Sequence, residues 1–176
     1  RARSEKGREI GPLPEVVNPR RKARCKKDPR LFAATYFPEK FNIKFSSDHL
    51  KALALMKGCV LAGGLFALAM PRGSGKTTLS EVVAIWAVLY GHRRFVVVIG
   101  SMGDAAAEIL ERIKAALETN ELLAEDFPEV CYPLRMLEQI TQRAKGQTLD
   151  GEPTRIGWHR RQVVLPTVAG DRKSVV

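Results

Sequence analysis

Six consecutive residues, Gly73-Ser74-Gly75-Lys76-Thr77-Thr78, combine the groups that bind a phosphate chain. Glycines let successive backbone N–H groups turn onto phosphate oxygens, which a Cβ would obstruct. The Lys76 ammonium suits the β- and γ-phosphates, and the Thr77 hydroxyl suits a Mg2+ ion shared with them. A helix starting directly after the loop adds the partial positive charge of its N-terminus. Gly73, Ser74, Gly75, Lys76, Thr77 and Thr78 are therefore the candidate nucleotide-binding residues, with Thr77 as the metal ligand and ATP and Mg2+ as the cofactors. The pattern G-x-x-x-x-G-K-[ST] fails at its first letter, where Met70 stands, and Gly73 restores part of the lost flexibility. Arg72 stands inside the loop. Its guanidinium is either a second positive charge against the γ-phosphate or a surface charge paired with a neighbour. Lys76 and Arg72 are the candidate catalytic residues.

Hydrolysis needs more than this loop. It calls for an acidic residue for Mg2+ at the end of a further apolar strand, and usually a carboxylate to activate water. Val97–Ile99 is followed by Gly100-Ser101, Leu149-Asp150 has no strand before it, and Val163–Leu165 ends in Pro166. The expectation is a chain that holds nucleotide without turning it over. Glu108, Glu111 and Glu121 read as solvated helix faces. His92 and His159 sit in basic loops, and Cys25, Cys59 and Cys131 form no C-x-x-C pair, so neither a metal site nor a disulfide framework is expected.

The elements that must position the loop follow from periodicity. Leu65–Met70 and Phe95–Gly100 are short continuous apolar runs, as expected of strands buried on both faces. Helices are predicted from Pro29 to Tyr36, from Ser46 or Ser47 to about Leu61, after the loop to about Leu89, and from about Gly103 to Leu117. Asn120–Asp126 and Leu134–Ala144 also look helical. Arg155–Trp158 and Gln162–Leu165 read as a hairpin. The order strand, loop, helix, strand, helix predicts an α/β fold: a P-loop NTPase parallel sheet flanked by helices. That sheet is expected to be incomplete, the chain stopping short of the acidic strand.

Charge and composition set the remaining bounds. The chain carries +10 over 176 residues, and residues 1–30 hold eleven Lys/Arg against four Asp/Glu. The densest stretch is Arg20-Arg21-Lys22-Ala23-Arg24-Cys25-Lys26-Lys27, which attracts polyanions or stands as a solvated arm. Gly11-Pro12 and Asn18-Pro19 interrupt helical pattern, so residues 1–28 are read as a basic, disordered arm and 29–170 as a partial P-loop ATPase domain. The last six residues, Asp171-Arg172-Lys173-Ser174-Val175-Val176, match the in-frame translation of a common sequencing adapter and are read as a non-native tail. No apolar run reaches the roughly 18 residues of a membrane span. The charged N-terminus carries no leader pattern.

Taken together, several stretches resemble the N-terminal ATPase region of phage terminase large subunits. They are Phe45-Ser46-Ser47-Asp48-His49-Leu50, Met70 to Thr78, Leu89 to Val97, and Asp126-Phe127-Pro128-Glu129-Val130. The resemblance covers roughly residues 30–168. Terminases of this kind commonly carry an Arg in the loop and tolerate a substituted leading Gly. The resemblance implies a motor ATPase that drives double-stranded DNA into a procapsid in the cytoplasm of a bacterial host. Its partners would be the portal, the terminase small subunit and further copies in a ring. It also implies that Phe45–His49 lies where such ATPases contact adenine; the alternative is that Phe45 is core and His49 a helix-start residue. A helicase- or recombination-type ATPase, a small-molecule kinase and a DNA-binding module with a vestigial loop remain alternatives. The helical stretch Asn120–Gly146 and the basic arm count against the kinase.

Overall fold

The computed structural model describes residues 8–166; the expected tail at 171–176 and the first seven residues of the expected arm lie outside them. Seven α-helices carry the described chain: α1 Pro19–Cys25, α2 Pro29–Tyr36, α3 Ser47–Ala62, α4 Lys76–Leu89, α5 Gly103–Thr119, α6 Glu121–Asp126 and α7 Pro128–Arg135. A 3-10 turn at Thr141–Ala144 precedes β1 Thr148–Leu149, β2 Glu152–Pro153, β3 Gly157–His159 and β4 Gln162–Val164.

The expected α/β architecture is overturned. Among the described residues the sheets are two antiparallel pairs, β1 with β2 and β3 with β4, and no parallel P-loop sheet exists. Neither Leu65–Met70 nor Phe95–Gly100 forms a strand. Leu65 is fully exposed, and Phe95, Val97 and Ile99 are 65%, 60% and 88% exposed. An apolar run fixes how much a segment gains from burial but not what buries it. Here the helices bury one another instead. The chain divides into two units, Pro19–Arg93 and the segments before and after it, so the two apolar runs fall in different units.

In the unit Pro19–Arg93, local signals start the helices. The Asp28 carboxylate accepts from the N–H groups of Arg30 and Leu31 at 2.9 and 3.4 Å, and Pro29 takes a first-turn position where its missing N–H costs nothing. Ser46 caps α3. α4 is buried along most of its length and receives α2 and α3. Helix α1 lies inside the segment expected as an arm. Three donors from α4 and its end take carbonyls at its C-terminus: Trp86 Nε1 on Cys25 O (3.0 Å), the Tyr90 hydroxyl on Lys22 O (2.7 Å) and His92 Nε2 on Lys26 O (3.0 Å). The Cys25 carbonyl also accepts from Asp28 N–H at 3.4 Å, so the side-chain donors add to what the local turn supplies at this helix end.

In the other unit, α5 turns Ala107, Leu110, Ile113 and Leu117 inward at helical spacing and packs on α7. Asn120 caps α6 by accepting from Leu123 N–H at 3.0 Å. The helix expected over Leu134–Ala144 is instead the end of α7, a turn and the 3-10 segment. Glu138 and Gln139 there have φ of +47° and +61°, which ends the i→i−4 ladder. The hairpin expected near 155–165 is present, with Trp158 opposite Val163. The turn of β1–β2 uses Asp150 and Gly151, both at positive φ. Glu9 reaches that turn, accepting from Gly151 and Asp150 N–H at 3.1 and 3.0 Å; the Gly151 N–H, then the Thr148 hydroxyl, with Asp150 N–H adding less, hold its carboxyl below the ordinary range.

A buried polar pair closes this unit. Gln147 donates Nε2–H to Pro133 O at 2.9 Å, and its Oε1 accepts from Thr154 Oγ1 at 2.9 Å; both residues are buried. Thr154→Val keeps the shape and leaves Oε1 with no donor, so it should lose about 1–3 kcal/mol in urea unfolding. A loss below about 0.5 kcal/mol would show that another donor serves that oxygen.

No helix among the described residues is long and apolar enough to cross a membrane.

Candidate functional site

The loop occupies the connection between the end of α3 and the start of α4, all within the Pro19–Arg93 unit. Gly73 and Gly75 both sit in the left-handed region, at φ +82° and +78°. A Cβ at either would touch nothing within 4 Å, so it is the backbone conformation, not crowding, that calls for glycine. Ser74 N–H closes a turn onto Pro71 O at 3.3 Å, and Leu79 N–H makes the first helical bond, to Gly75 O at 2.9 Å. Gly75 is the N-cap of the fourteen-residue α4 and offers no side chain to it. The first-turn N–H groups of α4 therefore lack the side-chain acceptor that Asp28 supplies to α2.

Lys76 is half-buried, and its ammonium donates to Met70 O at 2.5 Å and Pro71 O at 2.8 Å. It thus clasps the entry of the loop from the exit. The Ser74 hydroxyl oxygen is buried without a hydrogen-bond partner among the described residues. Arg72 and Thr77 are exposed, and Thr78 is half-buried. The structure thus gathers Gly73, Ser74, Gly75, Lys76, Thr77 and Thr78 into one turn that carries N–H, ammonium and hydroxyl donors, of which Ser74 N–H and the Lys76 ammonium are engaged by carbonyls of the same loop. Donors of these types suit an anion. A buried hydroxyl with no acceptor, glycines with open space where a Cβ would stand, and a lysine held only by neutral carbonyls all fit a phosphate group. Among the described residues, no group of three or more His, Cys, Asp or Glu is placed to hold a metal ion. Mg2+ would be held by the Thr77 hydroxyl together with phosphate oxygens.

Phe45 is half-buried rather than core, its ring 5.3 Å from Phe41 and edge-on to His49 at 6.3 Å. His49 does start a helix, as residue N3 of a capping box with Ser46. Its other ring nitrogen, Nε2, lies 2.9 Å from Ser74 O. Sequence reasoning did not join these two residues. The signal was there in part: S-x-x-H places a bifunctional ring where a capping box ordinarily carries Glu or Gln.

The basic stretch is a surface of the same unit. Arg20, Arg24, Lys26 and Lys27 are exposed on and just after α1 and Arg30 on α2, while Arg21 is half-buried with its guanidinium 6.0 Å from the Tyr36 ring centroid. The expected solvated carboxylates Glu108, Glu111 and Glu121 are all exposed; Glu111 pairs with the buried Lys114 at 2.6 Å and Glu121 with the half-buried Arg135 at 2.9 Å. The three cysteines are free thiols. Comparison with family models, curated proteins and solved structures finds no match to this chain.

Proposed function

We propose that this chain is the ATP-binding part of a DNA-packaging motor ATPase of the terminase large-subunit type. The observation that carries the reading is the loop: two left-handed glycines bracket Ser74, and Lys76 with an uncapped helix follows at once. In this role the N–H groups of the loop and the first turn of α4 hold the phosphates. Lys76 turns from Met70 O and Pro71 O to the β- and γ-oxygens, trading neutral acceptors for charged ones. Arg72, exposed beside the loop, adds positive charge at the γ-phosphate. Thr77 holds Mg2+, which neutralises phosphate charge when bound.

Motor function needs a second partner, double-stranded DNA, and the exposed bases of α1 supply phosphate contacts in the unit that carries the loop. In the whole motor the portal, the small subunit and further copies complete the assembly in the cytoplasm of the bacterial host. These assignments rest on the resemblance of the loop and its flanking stretches to terminases.

The test is a pair of titrations. ATP with Mg2+ should bind at least about tenfold more tightly than AMP, because the recognised groups are the β- and γ-phosphates. Equal affinities would mean that the loop does not read phosphate, and would sink the proposal. Binding to duplex DNA should weaken linearly in log affinity against log salt, by about 0.9 per phosphate contacted. A flat response would remove α1 from the account.

A further inference from the structure

His49 faces the loop with one ring nitrogen and its own helix with the other. Ser74 O is a carbonyl and can only accept, so the 2.9 Å contact requires the proton on Nε2. Nδ1 then carries the lone pair and accepts from Ser46 N–H at 3.3 Å, with the Ser46 hydroxyl 3.0 Å away. One neutral tautomer satisfies both sides. The ring therefore joins the first turn of α3 to the residue between the two left-handed glycines, 25 positions later.

That junction matters because of what flanks it. Glycine loses more conformational freedom on being fixed than any other residue, and Ser74 has one on each side. The Ser74 carbonyl and the Gly75 N–H belong to one planar trans peptide and point in opposite directions. Holding the carbonyl at His49 sets the plane, and with it the direction of the Gly75 N–H. Neither Ser74 N–H, bonded to Pro71 O, nor the Lys76 ammonium, bonded to Met70 O and Pro71 O, fixes that plane.

We infer that His49 is a positioning residue for the phosphate loop, holding the Ser74–Gly75 peptide in the orientation that phosphate binding uses. The inference rests on the nucleotide-binding reading of the loop. Its chemistry is that of a donor and an acceptor on one planar group, which glutamine reproduces and leucine does not. Glutamine is also an ordinary capping-box residue at this position.

Three variants of the full chain test it. His49→Leu should weaken Mg2+–ATP binding by about three- to tenfold, the worth of one hydrogen bond. It should also raise amide exchange at residues 74–77 in nucleotide-free protein. His49→Gln should restore both to within about twofold of the parent. Asp28→Ala removes the cap of α2, away from the loop, so it should lower the melting temperature while sparing affinity and loop exchange. The inference is overturned if His49→Leu matches the parent in both readouts, if His49→Gln fails to rescue, or if Asp28→Ala reproduces the leucine phenotype. Should the parent itself show no preference for ATP over AMP, the nucleotide reading falls. The exchange measurement still decides whether His49 holds the loop.

Discussion

Lys76→Ala is expected to weaken Mg2+–ATP binding by about 30- to 100-fold while leaving the fold in place. In the structure the ammonium donates to two neutral carbonyls, Met70 O and Pro71 O. Nucleotide offers it phosphate oxygens instead, and a hydrogen bond between charged partners is worth roughly 2–3 kcal/mol. Alanine at the first position of α4 has the best helix propensity of any residue, so the helix itself should not suffer. The substitution also opens the clasp between the two ends of the loop, and both losses act on the same site. AMP separates them. It lacks the β- and γ-phosphates, so a variant that has lost only the charge should bind AMP as the parent does. A variant with a collapsed loop should lose both ligands. Unchanged affinity for Mg2+–ATP would mean that Lys76 serves only to close the loop.

The candidate loop was more legible in the sequence than the fold, and the reason is distance along the chain. Gly73 to Thr78 are neighbours, so their types and spacing could be read together, and the turn with Gly73 and Gly75 at positive φ follows from them locally. The same holds for α2, where Asp28-Pro29 gives cap and first turn together, and for the hairpin around Trp158 and Val163. The Asp150-Gly151 turn carried an equally local signal that periodicity overlooked, because its strands are only two residues each. What could not be read locally was who supplies the partner. Leu65–Met70 and Phe95–Gly100 have the composition of buried strands, yet a strand exists only with a ladder. Helix α1 is the converse case. Its own sequence is a run of like charges, and its carbonyls find their donors 61 and 68 residues later, at Trp86 and Tyr90. His49 and Ser74 are joined in the same way, by a contact that no window of the sequence contains.

Trp86→Ala should be the most destabilising single substitution in the Pro19–Arg93 unit, at about 3–5 kcal/mol. Trp86 is completely buried in α4, its ring 4.5 Å from the His92 ring. Its Nε1–H is the donor that Cys25 O receives, in the interior of the unit. Truncation therefore leaves a cavity the size of an indole and takes the shorter of two donors from the Cys25 carbonyl, which keeps the Asp28 N–H at 3.4 Å. Trp86→Phe separates the two effects, since it retains most of the packing and removes the N–H; its cost should be about 1–2 kcal/mol. Urea unfolding followed by circular dichroism measures both. Fluorescence is unsuitable, because the remaining tryptophan, Trp158, lies in the other unit. The phenylalanine variant also bears on the basic surface. If the Cys25 carbonyl is what anchors the end of α1, amide exchange across Pro19–Cys25 should rise in Trp86→Phe while affinity for Mg2+–ATP stays within about twofold. A fall in nucleotide affinity as large as that of Lys76→Ala would instead show that α4 cannot present its N-terminus without the full indole, making Trp86 a determinant of the loop ten residues before it.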